Sequence, residues 1–356
     1  MATAFDPYDL AGTKIANRIV MAPMTRSRAT DTGEATEIMA TYYAQRASGG
    51  LLITEATQPS VVGQGYMNTP GLHTAEQVES WKPVTAAVHR EGGTIFAQLM
   101  HAGRISDTSL LPDGFEPVAP SAIAAKGQVF TAEGPKDFVA PKELTSNEIE
   151  ATVQDFADAA RHAIEAGFDG VEIHGANGYL VHQFLAAYAN QRTDEWGGSV
   201  EGRIRFAVEV ATAVAAAVGG EKVGIRLSPG APHNDIQGET DQAETYGALL
   251  ASLAPLGLAY VHLLEAADNR DLTRRLRAAW PSTFILNPST GAEPTGPDAL
   301  GLVEDGTADL VSFGAMFLAN PDLPARLAAG GPFNTPDQSS FYGGDENGYT
   351  TYPTLG

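Results

Sequence analysis

Short apolar runs alternate along this chain with longer stretches whose apolar positions recur every three or four residues, the signature of strands alternating with amphipathic helices. The runs predict strands over Ile19–Ala22, Leu51–Ala56, Thr94–Leu99, Gly170–His174, Val223–Leu227, Tyr260–Leu264, Thr283–Asn287 and Leu310–Phe313. Between and after them, helices are predicted over Thr36–Ser48, Ala75–Glu91, Ser146–Ala166, Val200–Val218, Gln242–Leu256, Asp271–Ala279, Gly296–Asp305 and Pro321–Ala329. Thr145 with Glu148 three positions on is a capping-box pair at the start of the third helix. Strand–helix alternation repeated eight times is what a closed parallel (β/α)8 barrel requires, because every parallel strand needs a crossover and closure removes the sheet edges. A doubly wound open sheet is the other topology; against it, no GxGxxG follows the first strand and no GxxxxGK with Ser or Thr occurs. No linker divides residues 1–356, so one barrel domain is expected. Residues 100–144 form a lid-like excursion after the third strand, and the Gly-, Tyr- and Pro-rich tail from Pro332 is expected to fold over one end.

Composition narrows the partners. The 43 acidic and 22 basic residues give a net charge of −21, which repels nucleic acid and anionic membrane surfaces. No cysteine is present, which removes disulfides, thiolate ligands and thiol nucleophiles and fits a reducing compartment. The first residues, MATAFDPYDL, lack the basic and apolar regions of a secretory signal, and no apolar run approaches the roughly 20 residues that span a bilayer. A cytoplasmic protein acting on small molecules is the expectation; the sequence gives no sign of an oligomeric state.

In such barrels the chemistry gathers at the carboxyl ends of the strands. There the chain places Pro23, Met24, Thr25 and Arg26; Glu55, Ala56 and Thr57; Gln98, Met100, His101 and Arg104; His174, Asn177 and Tyr179; Arg226 and Ser228; and Phe313 and Gly314. The set is rich in hydrogen-bond donors. It lacks the facing carboxylates of a glycosidase and the His and carboxylate spacing of a metal site. Donors without a metal suit a polar planar cofactor or a developing oxyanion.

The stretch HGANGYLVHQFL from His174, followed by NQRTDEWGGSVEGRIRF from Asn190, resembles the signature of the Old Yellow Enzyme family of FMN-dependent ene-reductases. Further matching blocks are APMTRSRA at Ala22, TEAT at Thr54, GYMNTPGLH at Gly65, AQLMHAGRIS at Ala97, GIRLSP at Gly224, FLANPDL at Phe317 and FYGGDENGYTTYP at Phe341, in the family's order over nearly the whole chain. The resemblance implies an FMN-containing oxidoreductase that reduces the C=C bond of α,β-unsaturated carbonyl compounds with NAD(P)H as donor. It implies a cofactor site of Pro23, Met24, Thr25, Ala56, Gln98, Arg226, Gly291, Gly314 and Ala315. His174 and Asn177 would hold the substrate carbonyl oxygen, and Tyr179 would protonate the α-carbon after hydride reaches the β-carbon. Tyr66, Met100 and Tyr342 would line the substrate pocket, while His101, Arg104 and His182, with Asp194, Glu195 and Trp196, would be structural.

The chain departs from the family where the flavin phosphate belongs. Ala315 stands at the position of a phosphate-gripping arginine, and the turn NPSTGAEPTG from Asn287 to Gly296 carries Glu293 beside the expected dianion. Losing a charge-assisted contact costs about 1.5–3 kcal/mol. FMN held more weakly by main-chain amides, an F420-like deazaflavin, and a flavin-less acid–base isomerase or lyase all remain open, as does a non-catalytic binding protein. Met100, where several family members carry tryptophan, would widen the pocket.

Overall fold

The computed structural model describes residues 2–291 and 293–355. Eight parallel strands close a barrel: β1 Ile19–Met21, β2 Leu51–Ile53, β3 Ile95–Leu99, β4 Gly170–Gly175, β5 Val223–Leu227, β6 Tyr260–Leu264, β7 Thr283–Asn287 and β8 Leu310–Phe313. β8 pairs with β1 and β3 with β4, so the ring is complete. The open-sheet alternative is thereby excluded. β2 ends at Ile53, shorter than the apolar pattern suggests, because the next residues turn to side-chain work: Thr54 Oγ1 accepts from Gln98 N at 3.0 Å, and Glu55 accepts from Arg26 N at 3.2 Å.

Helices α1 Glu37–Ala44, α2 Ala75–Arg90, α3 Ser146–Glu165, α4 Leu180–Leu185, α5 Val200–Val218, α6 Gln242–Leu253, α7 Arg270–Ala279, α8 Gly301–Glu304, α9 Ala315–Ala319 and α10 Leu323–Ala329 accompany the strands. The capping box at α3 is formed: Thr145 Oγ1 accepts from Glu148 N, and Glu148 Oε2 accepts from Thr145 N. α4 and α9 are short additions to the predicted set, each following directly on a strand-end turn. Along β4, Val171 and Ile173 belong to the apolar layer shared with the helices. Two-residue alternation therefore turns Glu172 and His174 into the barrel. The register sets His174 beside Arg226, and Gln98 beside Glu172.

The excursion over residues 100–144 carries structure of its own. Val118–Ala119 pairs with Lys142–Glu143, drawing its ends together, and Gln128–Thr131 forms an antiparallel hairpin with Gly134–Asp137. The tail crosses the carboxyl end of the barrel and is tied down by buried arginines. Arg26 donates to the carbonyls of Phe341 at 2.9 Å, Ser340 at 3.2 Å and Gly348 at 3.0 Å, and Arg46 donates to that of Tyr349 at 3.2 Å. Tyr349 stacks on Tyr42 with ring centroids 4.1 Å apart. No helix among the described residues is long and apolar enough to cross a membrane.

Glu55, below this anchor, has its pKa pushed up to about 7 by burial. A carboxyl raised in this way favours the fold below its unfolded value near 4.5, and that contribution is lost as pH rises through 7. Glu55→Gln should therefore lose less stability than the parent between pH 5 and pH 8, by up to about 3 kcal/mol at 1.36 kcal/mol per pKa unit. Equal pH slopes in denaturant titrations of the two proteins would count against this assignment.

Candidate active site

The turn after β4 is built around two positions that few residues tolerate. Asn177 sits at φ 57°, and Gly178 at φ 78°. A Cβ on Gly178 would lie 2.6 Å from His233 O, so glycine is required there. Side chains from elsewhere clamp the turn. Ser228 Oγ accepts from Asn177 N at 2.8 Å, Asn234 Nδ2 donates to Asn177 O at 2.7 Å, His182 Nδ1 accepts from Gly178 N at 3.0 Å, and Gln183 Nε2 donates to Gly178 O at 2.7 Å. With its main chain fixed on both sides, Asn177 holds its side chain at the barrel mouth. Asn234 and Gln183 are supporting residues that the linear pattern does not single out, since they act through a turn 5 to 57 positions away, and Ser228, read at the end of β5, supports the same turn.

His174, Asn177 and Tyr179 line one cavity of about 310 Å³ together with Pro23, Met24, Thr25, Ala56, Gln98, Met100, Arg226, Gly314, Ala315 and Tyr342. Of the predicted cofactor positions, only Gly291 lies outside its lining. Tyr66 lines an adjoining outer cavity that shares Thr25, Tyr179 and Tyr342 with the first. The Tyr66 and Tyr179 hydroxyls are 2.8 Å apart, and the His174 ring meets Tyr179 edge-on at 5.0 Å. Met100 is buried beside Ala56 and Ala102, with Tyr66 and Tyr179 packed against them. Of the residues read as structural, three hold neighbouring segments: Leu180 N donates to His101 O, Arg104 donates to Asp235 O, and Asp194 holds Arg192.

Three buried polar atoms in this cleft have no protein partner: His174 Nδ1, Asn177 Oδ1 and Arg226 Nε. Buried polar atoms are nearly always paired, so unpaired ones lining a cavity point to a ligand. Burial, reinforced by the Arg226 charge, holds the His174 imidazole well below its ordinary range, so it is neutral and offers one N–H. Burial also raises the Tyr179 phenol, which stays protonated at neutral pH. Arg226 is steadied by Asn287, whose Oδ1 accepts from Nη2 at 3.0 Å. The arrangement presents a fixed cation, an amide and a hydroxyl toward one planar slot, with two donors and a phenolic acid beside it. A flavin ring, polar along one edge and flat, fits that donor set.

The phosphate end is different. Ala315 begins α9 without a charged group, and a Cβ on Gly314 or Gly291 would meet no protein atom closer than 3.8 Å, so main-chain approach there is open. Arg270, on the side of the loop after β7, is committed to Glu265 through bonds of 2.7 and 2.9 Å, and that carboxylate also accepts from Ser289 N at 3.4 Å. Glu293 is exposed, and position 292 of this turn lies outside the described residues.

Barrel and donor set together fit a flavin-dependent oxidoreductase. The chain belongs to the NADH:flavin oxidoreductase / NADH oxidase family, that of Old Yellow Enzyme: the family's sequence profile matches residues 3–334. It is an NAD(P)H-dependent flavin ene-reductase of that family. Over 360 aligned residues, 98% of this chain and 92% of the relative, it is 42% identical to 12-oxophytodienoate reductase 1 of Oryza sativa subsp. japonica. The Old Yellow Enzyme homologue of Zymomonas mobilis superposes with a TM-score of 0.94 at 40% identity, covering 99% of this chain and all of that one. Morphinone reductase in complex with tetrahydroNAD gives 0.94 at 41% identity, covering 100% and 98% of the two chains.

Proposed function

We propose that the whole chain works as one barrel domain that binds FMN in the cleft and reduces the C=C bond of α,β-unsaturated carbonyl compounds. Bound in this cleft and reduced by a nicotinamide, a flavin would supply the hydride. Pro23, Met24, Thr25, Ala56 and Gln98, which line the cavity, would border the ring, and Arg226 would stabilise the negative charge that accumulates on reduction. His174 and Asn177 hold the substrate carbonyl oxygen and stabilise the enolate charge as the β-carbon accepts hydride. Tyr179 transfers its phenolic proton to the α-carbon, and Tyr66, hydrogen-bonded to it, shares the replacement proton. Tyr66, Met100 and Tyr342 shape the space for the substituents. The observation that carries this reading is the pair of unpaired buried nitrogens of His174 and Arg226 around one cavity that Asn177 and Tyr179 also line.

The cofactor phosphate rests on main-chain amides around Gly291, Gly314 and Ala315, with no guanidinium clamp. Ala315→Arg is expected to tighten FMN by about 1.5–3 kcal/mol, roughly 10- to 150-fold in Kd. Fluorescence titration of the two apoproteins measures this directly; equal Kd values would mean that the phosphate lies elsewhere.

A visible spectrum of the purified protein, followed by FMN titration and an enone assay with NADH or NADPH, tests the whole reading. A two-banded yellow spectrum and enone reduction are expected. A single violet-region band would point to a deazaflavin of the F420 type, and a protein that stays colourless under FMN would have to act by non-redox acid–base chemistry.

A further inference from the structure

Beneath the cleft floor a second polar layer crosses the barrel from strand to strand. Glu172 on β4, His262 on β6 and Ser312 on β8 are all fully buried, at 0% exposure. Glu172 Oε1 accepts from Gln98 Nε2 at 2.8 Å, Glu172 Oε2 lies 2.8 Å from His262 Nδ1, and His262 Nε2 lies 2.8 Å from Ser312 Oγ. Barrel interiors are normally filled by branched apolar side chains, and taking a carboxylate out of water costs several kcal/mol, in order-of-magnitude terms. A carboxylate here has a consequence for whatever occupies the cleft above it.

The hydrogen-bond chemistry fixes orientations. An ionised carboxylate only accepts, so the amide NH2 of Gln98 must face Glu172, which leaves its carbonyl oxygen and second N–H for the cleft that Gln98 lines. His262 donates from Nδ1 and accepts the Ser312 hydroxyl at Nε2. Burial holds its imidazole below the ordinary range despite the pull of Glu172, so the ring is neutral. Glu172 is therefore the acidic group of this layer, with no cation among His262, Ser312 and Gln98 to face it. Arg226, also buried, lies within Coulombic reach of Glu172 and lines the cleft.

We propose that Glu172 is a positioning residue of the flavin site: it sets the face that Gln98 presents to the pyrimidine edge, and its buried charge offsets Arg226 and so lowers the reduction potential of the bound cofactor. This rests on the flavin reading of the cleft. Reduction adds negative charge near Arg226; a full cation favours it, and a half-neutralised one favours it less. The chain thus retains Arg226 as a donor while limiting how far it stabilises the reduced cofactor, which keeps hydride transfer onward to substrate favourable.

Glu172→Gln isolates the charge. Its carbonyl can accept from Gln98 and its NH2 can donate to His262 Nδ1, with His262 changing tautomer and donating to Ser312. The variant is expected to bind oxidised FMN within a few-fold of the parent, while the midpoint potential of the bound flavin rises by about 30 mV or more, a tenfold change in a two-electron equilibrium. If Glu172→Gln does not fold, Glu172→Met removes the same charge and is expected to shift the potential the same way, with weaker FMN binding because Gln98 is released. Ser312→Ala keeps the charge and should leave the potential where it is. An unchanged potential in the FMN-loaded Glu172 variant overturns the proposal, and so does an equal shift in Ser312→Ala. Failure of the parent to take up FMN is seen before any variant is made, and it overturns the flavin reading itself.

Discussion

Tyr179→Phe reduces alkenes about 10²- to 10⁴-fold more slowly than the parent, the range expected when a positioned general acid is removed, while nicotinamide reduces the bound flavin at the parental rate. The change deletes one hydroxyl and leaves the ring to keep its edge contact with His174. Tyr342 lines the same cleft but is 70% exposed, and the Tyr66 hydroxyl reaches the cavity through its bond to Tyr179, so neither stands ready to take over. Because burial raises the Tyr179 phenol above its ordinary value near 10, the acid form persists through neutral and mildly alkaline pH. The oxidative half-reaction should be flat there and fall only as pH rises through that raised pKa. Stopped-flow measurement of the two half-reactions separates the outcomes; an unaltered oxidative rate in Tyr179→Phe would hand the proton to another group or to water.

The second large effect belongs to the carbonyl-binding pair. His174→Ala and Asn177→Ala are each expected to lower kcat about 10²- to 10³-fold, the loss typical of one oxyanion donor. The double variant should lose less than the product of the two, because both donors serve one oxygen. Asn177→Ala carries an added backbone strain, since alanine at φ 57° is unfavourable. Asn177→Gly separates that strain from the lost amide: it should restore stability but not turnover. His174→Ala carries no such complication, and parental turnover in it would mean that the substrate oxygen is held by other groups.

Much of this arrangement was legible in the residues because it follows from local pattern. β5, β6, β7 and β8 fall where the apolar runs place them, since each run is closed off by turn-forming or polar residues. The strand-end polar residues could be read as one face of a site because closure brings every carboxyl end to the same rim. What could not be read were relations between distant side chains. Nothing local in Ser228 or Asn234 says that they clamp the Asn177 turn. The inward direction of Glu172 follows from alternation, but its bond to Gln98 depends on strand register, and its link to His262 spans 90 positions. The hairpin within residues 100–144 has no local signature, because its strands QVFT and GPKD are four residues long and show no polar–apolar alternation. The assignment of Gly291 rests on likeness to a phosphate turn alone, and this residue lies outside the cleft lining.

The buried arginines that hold the tail also impose an order on biosynthesis. Arg26 and Arg46 belong to the first strand–helix unit, whereas the carbonyls they hold, from Phe341 to Tyr349, follow 303 to 322 positions later. While the ribosome is still making that segment, two guanidinium groups destined for the interior lack their acceptors, and the wall supplied by Phe341 and Tyr342 is missing from the cleft. A nascent barrel can gather its strands, but it cannot close its mouth. Cofactor capture thus waits for this late segment, and ribosome-stalled chains ending before Ser340 should emerge in the apo form however much flavin surrounds them.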